Sequence, residues 1–159
     1  MATPDFTINF LVDQSPEEAF NAINHVRGWW SESLEGDSEK LNDEFTYRYK
    51  DIHYSRQRLI EVIPNKKIVW LILDSNLYFV DNQTEWTGTK IIFEIIEKNQ
   101  QTEIQFTHQG LIPEFECYDA CSKGWTYFIS GSLHNLITTG KGQPNILDHK
   151  IEQEAETLN

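Results

Sequence analysis

The chain has 159 residues, of which 39% are hydrophobic and 13% aromatic, and its formal net charge is −12. This length and composition predict one folded domain and argue against a disordered chain. So negative a surface repels phosphate backbones and anionic lipid headgroups, which excludes nucleic-acid and membrane binding from the expected functions.

The first strand and the first helix are predicted from local patterns near the amino terminus. Phe6–Val12 alternates apolar and polar residues, as strands do. The stretch Ser15-Pro16-Glu17-Glu18 predicts a helix start, because Ser15 can cap the helix and Glu18 can complete a capping box. A second short helical turn is expected at residues 26–31, which include two consecutive tryptophans.

Strand-like segments follow in series at residues 45–49, 57–63, 67–73, 90–97 and 102–108. Pro64-Asn65 predicts a tight turn between the second and third of these segments. In the last segment Ile104, Phe106 and His108 share one face. The loop 74–89 carries much apolar surface, and we expect it to fold over another part of the molecule.

After Gly110 and Pro113 the hydrophobic period changes from two to about 3.6 residues, which predicts a long carboxy-terminal helix. Its apolar stripe contains Tyr118, Cys121, Trp125, Phe128, Ile129, Ser132, Leu133, Leu136 and Ile137. Gly140, Gly142 and Pro144 end the helix. Residues 1–144 are thus predicted to form one domain, and residues 145–159 a polar, flexible tail.

The order of elements predicts an α+β fold: a curved antiparallel sheet wrapped around a long carboxy-terminal helix, with two short helices after the first strand. Only the long helix has the length and the apolar stripe to cover the inner face of such a sheet. A gap between a curved sheet and a single helix is a natural ligand cavity.

The chain also resembles a known family through four strings: VRGWWS, EWTGTKIIFEI, FTHQGL and ECYDACSKGWTYFISGSLHNLITTGKGQP. These strings resemble the domain named after the activator of the heat-shock-protein-90 ATPase. That family is similar to the START-like, or SRPBCC, superfamily, whose helix-grip fold the birch pollen allergen shares. The resemblance extends from Phe6 to about Pro144. It implies a single helix-grip domain with an internal hydrophobic cavity, as in bacterial single-domain members.

The resemblance implies a second function class, a protein-binding or co-chaperone module. The co-chaperone that gave the family its name has an additional amino-terminal domain, which carries much of its chaperone contact. We expect no such module here, because the first predicted strand begins at Phe6. Partners are therefore expected to be a small hydrophobic molecule or a chaperone, and the chain a monomer or weak dimer.

The leading prediction is a protein that binds a small hydrophobic or amphipathic molecule in its cavity, with no cofactor. The residues expected to line that cavity are Trp30, Tyr47, Trp70, Phe79, Phe93, Phe106, His108, Cys121, Trp125 and Phe128. Both cysteines are expected to be reduced thiols, because the amino terminus lacks the basic and apolar segments of a signal peptide. We therefore predict a cytoplasmic protein.

His108 and Cys121 are the candidates for chemistry. A metal site would need three or four converging ligands, and Cys117, Cys121 and His108 do not have the spacing that indicates one. A nucleophilic pair of Cys121 with His108 is the most concrete enzymatic alternative, but the sequence shows no orienting partner and no oxyanion site. His108 has two open interpretations, a hydrogen-bonded core histidine or a polar contact for the ligand.

Overall fold

The structure is a computed structural model that describes residues 5–144. Along the chain its strands are β1 (Phe6–Val12), β2 (Glu35–Gly36), β3 (Glu44–Tyr49), β4 (His53–Ile63), β5 (Lys67–Leu77), β6 (Lys90–Lys98) and β7 (Gln101–Gln109). They form one antiparallel sheet in the order β1-β7-β6-β5-β4-β3-β2. This architecture confirms the predicted α+β helix-grip fold.

Two helical regions complete the fold. Helix α1 (Pro16–Asn24) and a 3₁₀ turn (Val26–Gly28) follow β1. The carboxy-terminal helix consists of α2 (Tyr118–Trp125), a π-helical segment (Thr126–Leu133) and α3 (His134–Thr139). The backbone stays in the right-handed helical region across both junctions, so the three segments form one continuous rod.

Sheet curvature has a local cause in the pairing of β4 with β5. The register shifts between Arg56 and Gln57 and again between Leu59 and Glu61. An extra residue in one strand bends that strand and increases its twist. Both irregularities lie in the longest strand pair, which therefore curls around the helix.

The inner face of the sheet follows the predicted alternation. In β7 the side chains of Thr102, Ile104, Phe106 and His108 are buried, while the intervening residues are only partly covered. β1 pairs with β7, although the two strands are far apart in the chain. The first strand thus becomes an edge of the sheet, and the inward face of β7 lies under the helix.

The apolar stripe of the long helix is buried against this face. Cys121, Trp125, Ile129 and Leu133 recur every four residues, and all four are buried. Ser132 adds a polar anchor, because its hydroxyl donates a hydrogen bond to the carbonyl of Trp29 (2.7 Å) and accepts one from the backbone N–H of Gln143 (2.6 Å). The helix is therefore tied to the segment after α1 and to its own carboxy-terminal extension.

Several features differ from the sequence-based expectation. β5 runs four residues further than predicted, so the following loop is shorter. β2 was not predicted, because two residues are too few to show alternation. Its Gly36 has φ +96°, and a Cβ there would lie 2.2 Å from the carbonyl oxygen of Glu44. The π-helical segment was also missed, since its apolar spacing suits an ordinary helix.

Two expectations concern the ends and the environment of the chain. The predicted tail, residues 145–159, lies outside the described residues. Among residues 5–144, no helix is long and apolar enough to cross a membrane.

The predicted capping box at the start of α1 is present and can be tested by mutation. The Ser15 hydroxyl accepts the backbone N–H of Glu18 (3.1 Å), and the Glu18 carboxylate accepts the backbone N–H of Ser15 (3.4 Å). Ser15→Ala removes the acceptor and should lower the free energy of unfolding by about 1 kcal/mol. Ser15→Asp keeps an acceptor and serves as the control. Equal urea midpoints for the alanine variant and the wild type would contradict the assignment.

Candidate functional site

A cavity of about 480 Å³ lies between the long helix, the strands β3 and β4, and the loop after β5. Its volume is within the range of small-molecule sites. The residues that line it are Trp30, Tyr47, Tyr49, Ile52, His53, Phe79, Trp86, Ala120, Cys121, Gly124, Trp125, Tyr127 and Phe128. No Asp, Glu, Lys or Arg is among these residues of the described chain.

Two stacked ring pairs form the deep part of the wall. Trp30 stacks on Tyr47 with centroids 4.1 Å apart, and Trp86 stacks on Trp125 with centroids 5.6 Å apart. Trp30 and Trp125 meet at a tilt of 39°, which joins the two pairs. Since all four side chains are buried, this wall is held rigidly by packing.

Buried His108 links the helix to the sheet through both ring nitrogens. Trp125 Nε1 donates to His108 Nδ1 (3.0 Å), so Nδ1 has no proton and Nε2 must carry it. Nε2 therefore donates to Thr89 Oγ1 (2.8 Å), and the Thr89 hydroxyl donates to the carbonyl of Trp86 (2.6 Å). Burial, and secondarily the neighbouring His53, lower the pKa of His108 to about 3. The residue is a neutral, fully hydrogen-bonded core histidine.

His53 lies on the cavity wall at the start of β4. The ring of His53 packs nearly perpendicular to the rings of Tyr47 and Trp86. Its centroid lies 5.0 Å from that of Tyr47 and 4.5 Å from that of Trp86. Nε2 is 3.3 Å from the hydroxyl of Ser55. The residue as a whole is partly exposed, and burial of its ring lowers the pKa of His53 to about 3. The wall therefore carries a neutral imidazole at neutral pH.

The two cysteines are buried free thiols at the start of α2. Contact with the Cys117 side chain, followed by burial, raises the pKa of Cys121 far above its usual range. A protonated thiol is a poor nucleophile. Since both nitrogens of His108 are occupied by Trp125 and Thr89, the structure supports no Cys121–His108 pair.

Two carboxylates fasten the loop after β5 to the amino-terminal end of the long helix. Glu85 accepts the backbone N–H groups of Glu116 (2.9 Å) and Cys117 (3.2 Å). In return, Glu116 accepts those of Asp81 (3.2 Å) and Asn82 (3.0 Å). We call these four hydrogen bonds the carboxylate clamp. The clamped loop contributes two cavity rings, so the clamp positions part of the wall.

Six of the ten predicted cavity residues lie on the wall: Trp30, Tyr47, Phe79, Cys121, Trp125 and Phe128. The other four do not line it. Trp70, Phe93, Phe106 and His108 are fully buried and pack behind the lining rings. Phe106, for example, is covered by Trp125, whose ring centroid is 4.8 Å away. An inward-facing position in a strand does not reach the cavity where a larger ring of the helix intervenes.

Seven residues of the wall were not among the ten predicted cavity residues: Tyr49, Ile52, His53, Trp86, Ala120, Gly124 and Tyr127. Tyr49 and Trp86 stood out only as large aromatic residues, and Gly124 only as a small one. Ile52 lies in the turn between β3 and β4 and His53 directly follows it, where no periodicity distinguishes a wall residue from a surface one. No group of three or more His, Cys, Asp or Glu side chains in the described residues could hold a metal ion.

The neutral state of His108 predicts a pH dependence of stability. Its pKa is about 3 when folded and about 6.5 when unfolded, so the unfolded chain takes up the proton first as the pH falls. The stabilisation is complete above pH 6.5 and is lost progressively between pH 6.5 and 3. At pH 5 the loss from this residue is about 2 kcal/mol.

His108→Gln isolates that contribution, because glutamine keeps one donor and one acceptor but does not titrate. We expect the free energy of unfolding to fall less between pH 7.5 and 5 in this variant than in the wild type. Urea unfolding at both pH values measures the difference. An unchanged pH dependence would show that His108 is not the group responsible.

The carboxylate clamp predicts how firmly the loop is held. Glu116→Ala removes the acceptor for the N–H groups of Asp81 and Asn82, and their hydrogen exchange should accelerate by about 5- to 30-fold. Glu97→Ala removes an exposed carboxylate on β6 and is the matched control. If exchange at Asp81 and Asn82 were the same in both variants, the clamp would not hold the loop in solution.

Comparison with solved structures places this architecture among known proteins. The Aha1 dimer of Colwellia psychrerythraea superposes with a TM-score of 0.66 at 24% identity, covering 86% of this chain and 99% of that one. Protein SSP2350 of Staphylococcus saprophyticus superposes with a TM-score of 0.62 at 20% identity, covering 91% of this chain and 100% of that one. MLL2253 of Mesorhizobium loti superposes with a TM-score of 0.61 at 16% identity, covering 79% of this chain and 92% of that one. At these identities the likeness shows the fold.

The sequence matches no curated protein. It does match a family model over residues 13–138, which is most of the chain and includes nearly all of the cavity-forming elements. The chain therefore belongs to the family described as Activator of Hsp90 ATPase homolog 1-like protein.

Proposed function

We propose that the chain binds a small, largely apolar molecule in the cavity between its sheet and its long helix. The observation that carries this proposal is the composition of the wall: eight of its thirteen described residues are Trp, Tyr or Phe, in a space of about 480 Å³. A ligand that fills such a space replaces water against aromatic surface, at about 25 cal/mol per Å² of apolar area buried.

The wall also has a small number of polar points that could orient a ligand. His53 presents a neutral imidazole to the cavity, and its Nε2 lies 3.3 Å from the Ser55 hydroxyl. The indole N–H of Trp86 is buried on the same wall beside the Cys121 thiol, and it makes no hydrogen bond of normal geometry to the described residues. Few convergent polar groups on an otherwise apolar wall are typical of small-molecule sites.

Gly124 keeps part of this space open. It lies on α2 at the cavity wall, and a Cβ at this position would meet no atom within 4 Å. Glycine inside a helix costs about 1 kcal/mol relative to alanine. The helix therefore carries a residue that is unfavourable locally and that preserves room for a ligand.

Gly124→Leu should fill part of the cavity and weaken binding of a neutral apolar dye, such as N-phenyl-1-naphthylamine, by at least about tenfold. The fold should remain, since the new side chain enters empty space. Gly131→Leu is the matched control, because its Cβ also meets no atom within 4 Å and it does not line the cavity. Fluorescence titration measures affinity, and thermal unfolding checks stability. Dye affinity that is equal in both variants, or absent in the wild type, would contradict the proposal.

A second candidate function is a contact with an Hsp90-type chaperone, which the family membership favours. The strongly acidic surface is compatible with a basic region on such a partner. Stimulation of the chaperone's ATPase by the purified chain, together with complex formation in pull-down, would support it. Neither effect at micromolar concentration would count against it.

Assembly and location also remain proposals. The relative from Colwellia psychrerythraea is described as a dimer, and we propose a monomer or weak dimer for this chain. Two buried free thiols suit a reducing compartment, in accordance with the proposed cytoplasmic location.

A further inference from the structure

The charge distribution around the cavity limits the kind of molecule that can enter it. An anion would find no Lys or Arg on the described wall. The imidazole of His53 supplies no positive charge at neutral pH, because burial holds its pKa at about 3. Arg56 and Arg58 point to the opposite face of β4, where both bind Glu44. An anionic ligand would thus lose its hydration without a counter-charge on the wall itself; Lys50 lies beside the wall, over the ring of Tyr49.

A cation meets the opposite conditions at the mouth of the cavity. Close to the wall residues along the chain lie Asp51, Asp81, Glu85, Glu116 and Asp119, here called the acidic rim; Glu85 and Glu116 also form the carboxylate clamp. Two lysines, Lys50 and Lys123, oppose them on the same segments. The rim is negative on balance, in a chain whose net charge is −12. Such a field raises the local concentration of cations and their rate of association.

The aromatic wall supplies the short-range attraction. Tryptophan and tyrosine rings attract a cation placed over their faces, and the attraction grows when water is excluded. The structure contains an internal example, since the ammonium of Lys50 lies over the ring of the cavity residue Tyr49, 5.6 Å from its centroid. A wall with eight aromatic rings and no carboxylate favours a weakly hydrated cation, which does not require an ion pair.

We propose that the cavity selects a lipophilic organic cation, a quaternary or protonated amine on an apolar body, over an anion or a neutral molecule of the same shape. The inference rests on the proposed ligand-binding function and specifies its chemical class. The apolar body occupies the cavity among the stacked rings, and the charged end lies among the rings nearer the acidic rim.

Three probes of nearly equal shape test this selectivity: a 2-phenylethyl group carrying trimethylammonium, tert-butyl or sulfonate. The trimethylammonium compound should bind about 5- to 30-fold more tightly than the tert-butyl compound, as expected for cation–π contacts with partly desolvated rings. The sulfonate should bind most weakly. Raising the salt concentration should weaken binding of the ammonium and not of the neutral compound. Chemical-shift titration by NMR measures all three affinities.

A ring at the mouth provides the matched variants. Tyr127 lines the cavity and is 55% exposed, so its replacement should not disturb the core. Tyr127→Leu should weaken ammonium binding by about 2- to 5-fold and leave tert-butyl binding within twofold, whereas Tyr127→Phe keeps the ring and should resemble the wild type.

The outcomes separate this inference from the proposed function. If the tert-butyl compound bound as tightly as the ammonium, or the sulfonate bound equally well, the inference would be overturned while ligand binding stood. If none of the three compounds bound and Gly124→Leu also had no effect on the dye, both proposals would fail. Selective loss of ammonium binding in Tyr127→Leu, with the order of affinities above, supports the cation site.

Discussion

Trp125 is the contact on which the arrangement of helix, sheet and cavity depends. Its indole N–H donates to His108 on β7, its ring stacks on Trp86 of the loop, and the same ring packs at a tilt against Trp30 after α1. One side chain of the helix thus contacts three separate parts of the chain. Because the hydrogen bond to His108 is directional and buried, it sets both the height and the rotation of the helix over the sheet.

The cavity follows from this arrangement and from the size of the residues beside Trp125. Cys121 lies one turn before Trp125, and Gly124 lies directly before it. The helix therefore carries small side chains next to the cavity. Large rings on both sides cannot close the gap, because their positions are already determined by stacking. The carboxylate clamp then holds the loop over one side of the space, which leaves a wall of rings around an unfilled centre.

Two histidines show how the same residue type takes different roles within one cluster. His108 is enclosed by Trp125 and Thr89 and forms hydrogen bonds with both, so it stabilises the fold and does not line the cavity. His53 also contacts Trp86, but it lines the cavity. Both are neutral because burial disfavours their charged forms. Their positions, and not their intrinsic chemistry, separate a structural residue from a wall residue.

Periodicity in the sequence determines much of the fold. The strand at residues 6–12, the capping box at Ser15 and the helical stripe through Trp125 depend on neighbours within a few residues, so local patterns were enough to predict them. Family membership was also evident from strings such as FTHQGL. A contiguous string can be recognised without any knowledge of which residues are in contact. The pairing of β1 with β7 and the two-residue strand β2 were not evident, because they depend on contacts between distant segments.

By itself, the sequence determined the inward faces of β7 and of the long helix; only the tertiary structure decided which of those inward residues meet empty space. Phe106 and Phe128 had equal claims as cavity residues, but Trp125 covers the first, and the second lies on the wall. The sequence leaves two interpretations of His108 open, and its hydrogen bonds to Trp125 and Thr89 identify it as a core residue. The physical reason is that a residue lines a cavity only where no other side chain covers it. Whether one does depends on the packing of segments far apart in the chain.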